Sequence, residues 1–220
     1  LIHLFRIRNS AYVFIHREAA PLGPPVFEWV ISRLLKKRVI FDFDDAIWLR
    51  NSSEHNKWFS WLKQHDNFKQ NCKWAYRVSA GNKYLANEAL KYHDDVVINP
   101  TTIDMQLHDA SKAVKSAIPV IGWTGSHSTV KYLELIMHVL RELQQHHEFV
   151  FKVISDIAPE FEDNFIEFVK WDKINEISEL GTFDIGIMPL PDNKWAKGKC
   201  GFKAIQYLAM SIPAVVSDVG

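Results

Sequence analysis

The sequence predicts an α/β protein made of two successive lobes, each organised on a parallel sheet. Three observations lead there. Short apolar runs alternate with segments whose apolar residues recur at helical spacing, the pattern of strand–helix–strand units. The alternation fades into mixed polar residues over 101–116 and then begins afresh. Residues 184–220 read alone as strand, loop, helix and strand, a unit whose ligands sit outside the carboxyl ends of the strands.

The elements follow in order. Residues 1–9 are mixed apolar and basic and fit the end of a helix, and 12–15 fits a buried strand. A proline-punctuated loop over 21–25 leads to a helix with Phe27, Val30, Ile31, Leu34 and Leu35 on one stripe. A strand over 39–43 runs directly into Asp44 and Asp45. Trp58, Trp61, Leu62, His65 and Phe68 fit one face of a polar helix. Strand 77–80, helix 83–91 and strand 96–99 complete the first lobe.

In the second lobe, 119–123 is a strand and 122–126 a small-residue turn. The next helix carries Leu133, Ile136, Met137, Leu140 and Leu143 on one stripe, with Ser126 or Ser128 as its N-cap. Residues 149–154 form a strand, 161–168 a helix, 169–171 a short strand and 174–180 a brief helix. Strand 184–188, helix 201–210 and strand 214–217 close the series. The lobes are expected to span 1–112 and 113–220.

Composition narrows the function classes. With 26 basic and 26 acidic residues the formal net charge is zero, so no global field favours nucleic acid. Two cysteines, Cys72 and Cys200, make no disulfide framework and point to a reducing cytosol. No apolar run approaches the roughly 20 residues that span a bilayer, and the chain opens on no signal peptide. The eight tryptophans can pack a core, stack on sugars or bases, or seat a protein on a membrane; composition does not choose.

Three constellations could carry chemistry. The loop before the last helix holds Lys194, Lys197 and Lys199 with Gly198 and Gly201, and cations, flexible backbone and a helix N-terminus suit a phosphate. On a wheel Phe202, Ile205, Leu208 and Ala209 share the apolar face; Lys203, Gln206 and Tyr207 share the other. Lys199 and Lys203 are therefore expected to converge on a ligand, with Gln206 a turn deeper. The bland alternative is a solvated basic loop before an ordinary amphipathic helix.

The second constellation is Asp42, Asp44 and Asp45. Alternation sends Asp42 and Asp44 to one face, and Asp44 and Asp45 fall near the strand's carboxyl end, where carboxylates can act as base, hydroxyl-binding group or metal ligand. Alternatively they cap a helix or line a solvated turn, although Asp42 within an apolar strand needs partners. The third is the turn with Gly122 and Gly125, whose backbone could approach a phosphate but which lacks the full dinucleotide fingerprint. The ten histidines show no ligand spacing, so no metal site is expected, and no nucleophile elbow is present.

Several longer motifs carry a resemblance. REAAPLG (17–23), FDFDDAIWL (41–49), SAGNKYLA (79–86), INPTTID (98–104), IGWTGS (121–126) and above all DIGIMPLPDNKWAKGKCGFKAIQYLAMSIPAVVSDVG (184–220) resemble a bacterial polysaccharide-type branch of the retaining GT-B glycosyltransferases of family 4. The resemblance implies two Rossmann-like lobes with parallel sheets facing a cleft, acceptor mainly on the first lobe and donor on the second. It also implies that both lobes are incomplete: the first strand and glycine-rich loop are missing at the start, the last strand and closing helices at the end.

The implied reaction moves a sugar from a UDP- or GDP-type nucleoside diphosphate to a carbohydrate or lipid-linked acceptor, with retention and without a metal. By this resemblance Lys199 and Lys203 stabilise the leaving diphosphate, and Gln206 stands where the family's second acid binds ribose. Gly122, Thr124, Gly125, Ser126, Lys197, Gly198, Cys200, Gly201 and Phe202 line the donor, and Trp171 borders the base. Asp44 replaces the family's histidine near the transferred sugar, with Asp45 beside it. The family's first acid has no counterpart, and its arginine and lysine after the first strand of the second lobe are replaced by Trp123, Thr124, Gly125 and Ser126. No cofactor beyond the donor and no nucleic-acid partner is expected. The implied location is cytoplasmic, at the inner membrane face if the basic, aromatic N-terminal segment makes peripheral contact. Two alternatives stand: a non-catalytic or degenerate sugar-nucleotide-binding module of a polysaccharide assembly system, or a sugar-nucleotide epimerase of the same fold.

Overall fold

The computed structural model of the chain describes residues 7–19, 23–49, 66–109, 111 and 116–220. It divides into two compact units: Leu1–Thr101 with Asn193–Cys200 and Gly220, and Thr102–Asp192 with Gly201–Val219. The expected helix positions of Trp58, Trp61, Leu62 and His65 lie outside the described residues, as do Leu1 to Arg6 of the opening segment. Among the described residues no helix is long and apolar enough to cross a membrane.

The first unit is a four-stranded parallel sheet in the order β1 (Tyr12–His16), β2 (Arg38–Phe43), β3 (Arg77–Ala80), β4 (Val96–Ile98). Helix α1 (Val26–Trp29) continues as a π-helical turn, Val30–Leu34, and is followed by α2 (Asp66–Trp74) and α3 (Lys83–Ala89). Alternation on β2 buries Val39, Phe41 and Phe43. Phe43 meets Phe68 of α2 edge-on at 5.1 Å, and Trp48 lies 4.9 Å from the same ring, so aromatic packing closes this core. Asn82 begins α3 as an N-cap, its side chain accepting from the Leu85 amide at 2.8 Å.

The second unit is a five-stranded parallel sheet of β5 (Val120–Thr124), β6 (Val150–Ser155), β7 (Ile166–Lys170), β8 (Ile185–Met188) and β9 (Ala214–Val216), in the order β7-β6-β5-β8-β9. All five residues of β5 are buried, as its central place demands. Its helices are α4 (Glu134–Gln144) after a 3-10 turn at Val130–Leu133, α5 (Glu176–Leu180) and α6 (Phe202–Ala209). Trp123, Leu133, Met137, Leu140, Phe151 and Val153 form one core. Val120, Ile154, Leu180, Phe183, Tyr207 and Met210 form another. Since β6 and β7 lie to one side of β5 and β8 and β9 to the other, the strand order reverses between β5 and β8. Open α/β sheets bind ligands at the carboxyl ends of the strands flanking such a reversal.

Two expectations for this unit are corrected. Residues 161–168 are not a helix: Ile166 to Lys170 pair with β6, and Phe161 and Phe165 pack on the core from irregular backbone. Apolar residues at 161, 165 and 168 imitate a helical repeat, but sheet pairing decides the outcome. Neither Ser126 nor Ser128 caps α4. Their hydroxyls lie 2.9 Å from each other, and the 3-10 turn carries the chain into the helix without a side-chain cap.

Candidate functional site

The strand-order reversal of the second unit opens into a cleft of about 370 Å³ lined by Thr124, Gly125, Ser126, Asp156, Trp171, Glu176, Phe202, Lys203 and Gln206. Each wall follows from the topology. Thr124 to Ser126 leave β5, Asp156 follows β6, Trp171 follows β7, Glu176 opens α5, and the remaining three stand on α6. Trp171 and Phe202 are 41% and 47% exposed, apolar faces open to a planar or hydrophobic group. Lys203 extends over the Trp123 indole, with Nζ 5.7 Å from the ring centroid. Gly201, at φ +68°, supplies the left-handed residue from which α6 starts. The first intrahelical bond runs from the Ile205 amide to the Gly201 carbonyl, so the preceding amides point out of the helix start.

The two faces of α6 are the reverse of the sequence expectation. Gln206 and Tyr207 are 3% and 0% exposed, whereas Phe202 and Leu208 face solvent. Tyr207 is buried because its hydroxyl finds partners: it accepts from the Thr124 amide at 3.2 Å and donates to the Ile187 carbonyl at 3.3 Å. Burial pushes its phenol well above the usual range. Gln206 donates to Glu176 Oε1 at 3.2 Å and lies 3.4 Å from His108 Nε2. The structure therefore sets Gln206 into the cleft wall rather than on an outward polar face.

The turn after β5 also differs from its expectation. Gly122 lies inside the strand, where a Cβ would stand 2.2 Å from the Phe183 ring, and a Cβ on Gly125 would meet the Trp123 ring. These glycines serve close packing. The amides of Thr124, Gly125, Ser126 and His127 are engaged by Tyr207, the Ile154 carbonyl, Thr129 and Asp156. His127 Nδ1 also lies 2.7 Å from Asp156 Oδ2. Burial works to raise the Asp156 pKa, but hydrogen bonds from His127 outweigh it and hold the carboxyl below its usual value.

The aspartates belong to the first unit. Arg17, at φ +60° directly after β1, places Nε 2.7 Å from Asp44 Oδ1 and its terminal nitrogen 2.9 Å from Asp45 Oδ2. Lys199 Nζ lies 2.7 Å from Asp45 Oδ1. Asp42 has the partners its burial requires, with Ser79 donating at 2.5 Å and His16 Nδ1 at 2.7 Å. Burial works to raise the Asp44 pKa, but the Arg17 hydrogen bond and charge, aided by His16, leave it lowered.

Lys197, Gly198, Lys199 and Cys200 join this unit as well. Asn82 Nδ2 donates to the carbonyls of Lys197 and Lys199, each at 3.1 Å. The Cys200 thiol donates to the Asp44 carbonyl at 3.2 Å, and burial first of all raises its pKa to about 11. The structure thus places Lys199 with Asp45 in one unit and Lys203 with Trp123 in the other.

Comparison with solved structures identifies the architecture. A glycosyltransferase from Rickettsia africae superposes with a TM-score of 0.68 at 14% identity, over 99% of this chain and 60% of its own. Sucrose-phosphate synthase from Thermosynechococcus elongatus gives 0.66 at 11%, over 100% and 59%. The catalytic domain of starch synthase IV from Arabidopsis thaliana, bound to ADP and acarbose, gives 0.65 at 13%, over 100% and 59%. The fold is GT-B. No protein-family model and no curated protein sequence matches the chain. The chain spans about 60% of the length of these GT-B neighbours.

Within this GT-B fold, sequence reasoning missed Glu176, Asp156 and His108 in the second unit and His16, Ser79 and Asn82 in the first. Position could have found three of them: Asp156 and His16 follow the expected ends of β6 and β1, and Asn82 stands directly before the expected start of α3. Glu176, His108 and Ser79 carry ordinary polar side chains in unremarkable local patterns.

Proposed function

We propose that this protein transfers a sugar from a nucleoside-diphosphate donor to a carbohydrate or lipid-linked acceptor, with retention of anomeric configuration. The observation that carries the reading is the cleft at the strand-order reversal. A cation, a helix start, polar side chains and an indole converge there. The outward amides of α6 and the Lys203 ammonium suit a diphosphate, on which charge develops as the sugar–phosphate bond breaks. The exposed Trp171 face offers a stacking surface for the base. These groups compensate the phosphate charge from the chain itself, so the reading requires no metal. The starch synthase neighbour, itself bound to ADP and acarbose, supports the reading.

In this reading Asp44 and Arg17, both substantially exposed, offer acceptor and donor hydrogen-bonding groups to sugar hydroxyls. Lys199, tied to Asp45, anchors its loop. The test is release of nucleoside diphosphate from UDP-, GDP- and ADP-sugars over a panel of carbohydrate acceptors. Lys203→Ala should lower turnover by about a hundredfold, the scale of losing one group that meets developing charge. Turnover of Lys203→Ala at the level of the unsubstituted protein removes Lys203 from the mechanism. A product anomer inverted relative to the donor overturns retention.

A further inference from the structure

His108, Gln206 and Glu176 form a directed hydrogen-bond chain along the cleft wall. His108 is buried, and its Nδ1 lies 3.0 Å from the Asp104 carbonyl oxygen. A carbonyl only accepts, so Nδ1 donates and Nε2 is left to accept. The group facing Nε2 is Gln206 Nε2, at 3.4 Å, a donor only. The same NH₂ group donates to Glu176 Oε1 at 3.2 Å. Turning the amide over would set its oxygen against both a carboxylate oxygen and an accepting ring nitrogen. Two neighbours therefore fix one orientation, and the amide's protons are directed inward, one toward each neighbour.

Glu176 is the member of this chain that faces the cleft with chemistry to spare. It is only partly buried, and Gln206 engages one of its oxygens. It lies among Trp171, Lys203 and Gln206. Gln206 stands three residues beyond Lys203, a rise of about 4.5 Å along α6. The lining of one cleft thus combines a cation at a helix start, a held carboxylate and an indole. Phosphate, ribose and base, the three parts of a nucleotide, call for these three kinds of group.

We propose that Glu176 is the group that binds the ribose 2′,3′-diol, and that Gln206 and His108 are positioning residues that hold its carboxylate; this rests on the donor reading above. A carboxylate accepts from both hydroxyls of a vicinal diol, with charge-assisted bonds roughly twice as strong as neutral ones. Removing one hydroxyl leaves an acceptor without its partner, so the site discriminates against 2′-deoxynucleotides. The sequence expectation gave the ribose to Gln206, but its donors are directed at His108 and Glu176 and it is 3% exposed.

The experiment is calorimetric titration of the chain with UDP, GDP and ADP and with their 2′-deoxy forms. The preferred ribonucleotide should bind about tenfold more tightly than its deoxy counterpart, the worth of one charge-assisted hydrogen bond. Glu176→Gln should bring that ratio to about one while the deoxy form binds nearly as before. Glu176→Asp should recover part of the preference, and Gln206→Leu should lose most of it if its melting temperature shows a folded chain. A ratio near one in the unsubstituted protein, or a full preference surviving in Glu176→Gln, overturns the assignment and leaves the donor reading standing. Binding of none of the three diphosphates by the unsubstituted protein overturns both.

Discussion

At the carboxyl end of β2, Asp42, Asp44 and Asp45 share their surroundings with Arg17, Lys199 and His16. Burial alone would favour a neutral Asp44, yet the Arg17 hydrogen bond and charge leave its pKa lowered. A carboxyl with a depressed folded-state pKa contributes stability above its unfolded value, and that contribution is lost as pH falls through the folded value. Arg17→Gln should therefore lower the melting temperature at pH 7, with the deficit shrinking as pH falls below about 4 toward the depressed folded-state value of Asp44, through which its carboxylate becomes protonated and the Arg17 pairing is lost. Melting curves from pH 3 to pH 8 (about the span between acid and neutral) check this; a deficit that stays constant on the acid side sinks it. The place of these aspartates was legible, since strand alternation and the strand's end locate them from local sequence. Their cations were not, because Arg17 lies 27 positions from Asp44 and Lys199 lies 154 from Asp45. Ion pairing over such separations exists only once β1, β2 and the loop have been brought together.

Strands and helices were legible wherever their own residues decide them. The runs that became β2 and β8 are largely apolar and bounded by polar or turn residues, and the stripe of α4 and the turn before it buries Leu133, Met137 and Leu140 as its spacing implies. The face of α6 was not, because the wheel treats polarity as a direction, outward. Gln206 and Tyr207 are instead buried with hydrogen-bond partners, which removes most of the penalty that would push them to the surface. This packing also explains Gly186, where a Cβ would stand 2.4 Å from the Tyr207 ring. Tyr207→Phe should cost about 1–3 kcal/mol, because the Thr124 amide is left buried without its acceptor. Leu208→Gln, on the face the wheel assigns to the core, should change stability by less than about 0.5 kcal/mol. Denaturant titration of the two variants measures the difference, and the opposite ranking would restore the face read from the sequence.

Across the whole molecule, chain order and compact unit diverge at Gly220 and, more extensively, at one loop. Asn193–Cys200 follows the second unit's β8 in sequence and precedes its α6, yet it is counted with the first unit. Its seat is built from first-unit backbone and short side chains. A Cβ on Gly198 would stand 2.8 Å from Ala46 Cβ, and one on Gly81 would stand 2.4 Å from Cys200 Sγ. Asn82 holds the segment with one amide group while the oxygen of the same side chain caps α3. Local reading could find the lysines and glycines of this loop but not its seat, since Asn82 is 115 and 117 positions from the carbonyls it binds. The double duty of Asn82 allows the seat to be tested apart from the helix. Asn82→Asp keeps an oxygen for the Leu85 amide but replaces the donor with a carboxylate facing two carbonyl oxygens, an arrangement that repels rather than binds. Native-state hydrogen exchange should then show faster exchange across residues 193–200, with protection retained in α3. Strands β5 and β8, which make no hydrogen bond to Asn82 among the described residues, should exchange at their original rates. Unchanged exchange in 193–200, or a rise spread equally over β8 and α6, would show that the loop is held from the second unit and that the Asn82 bonds are incidental.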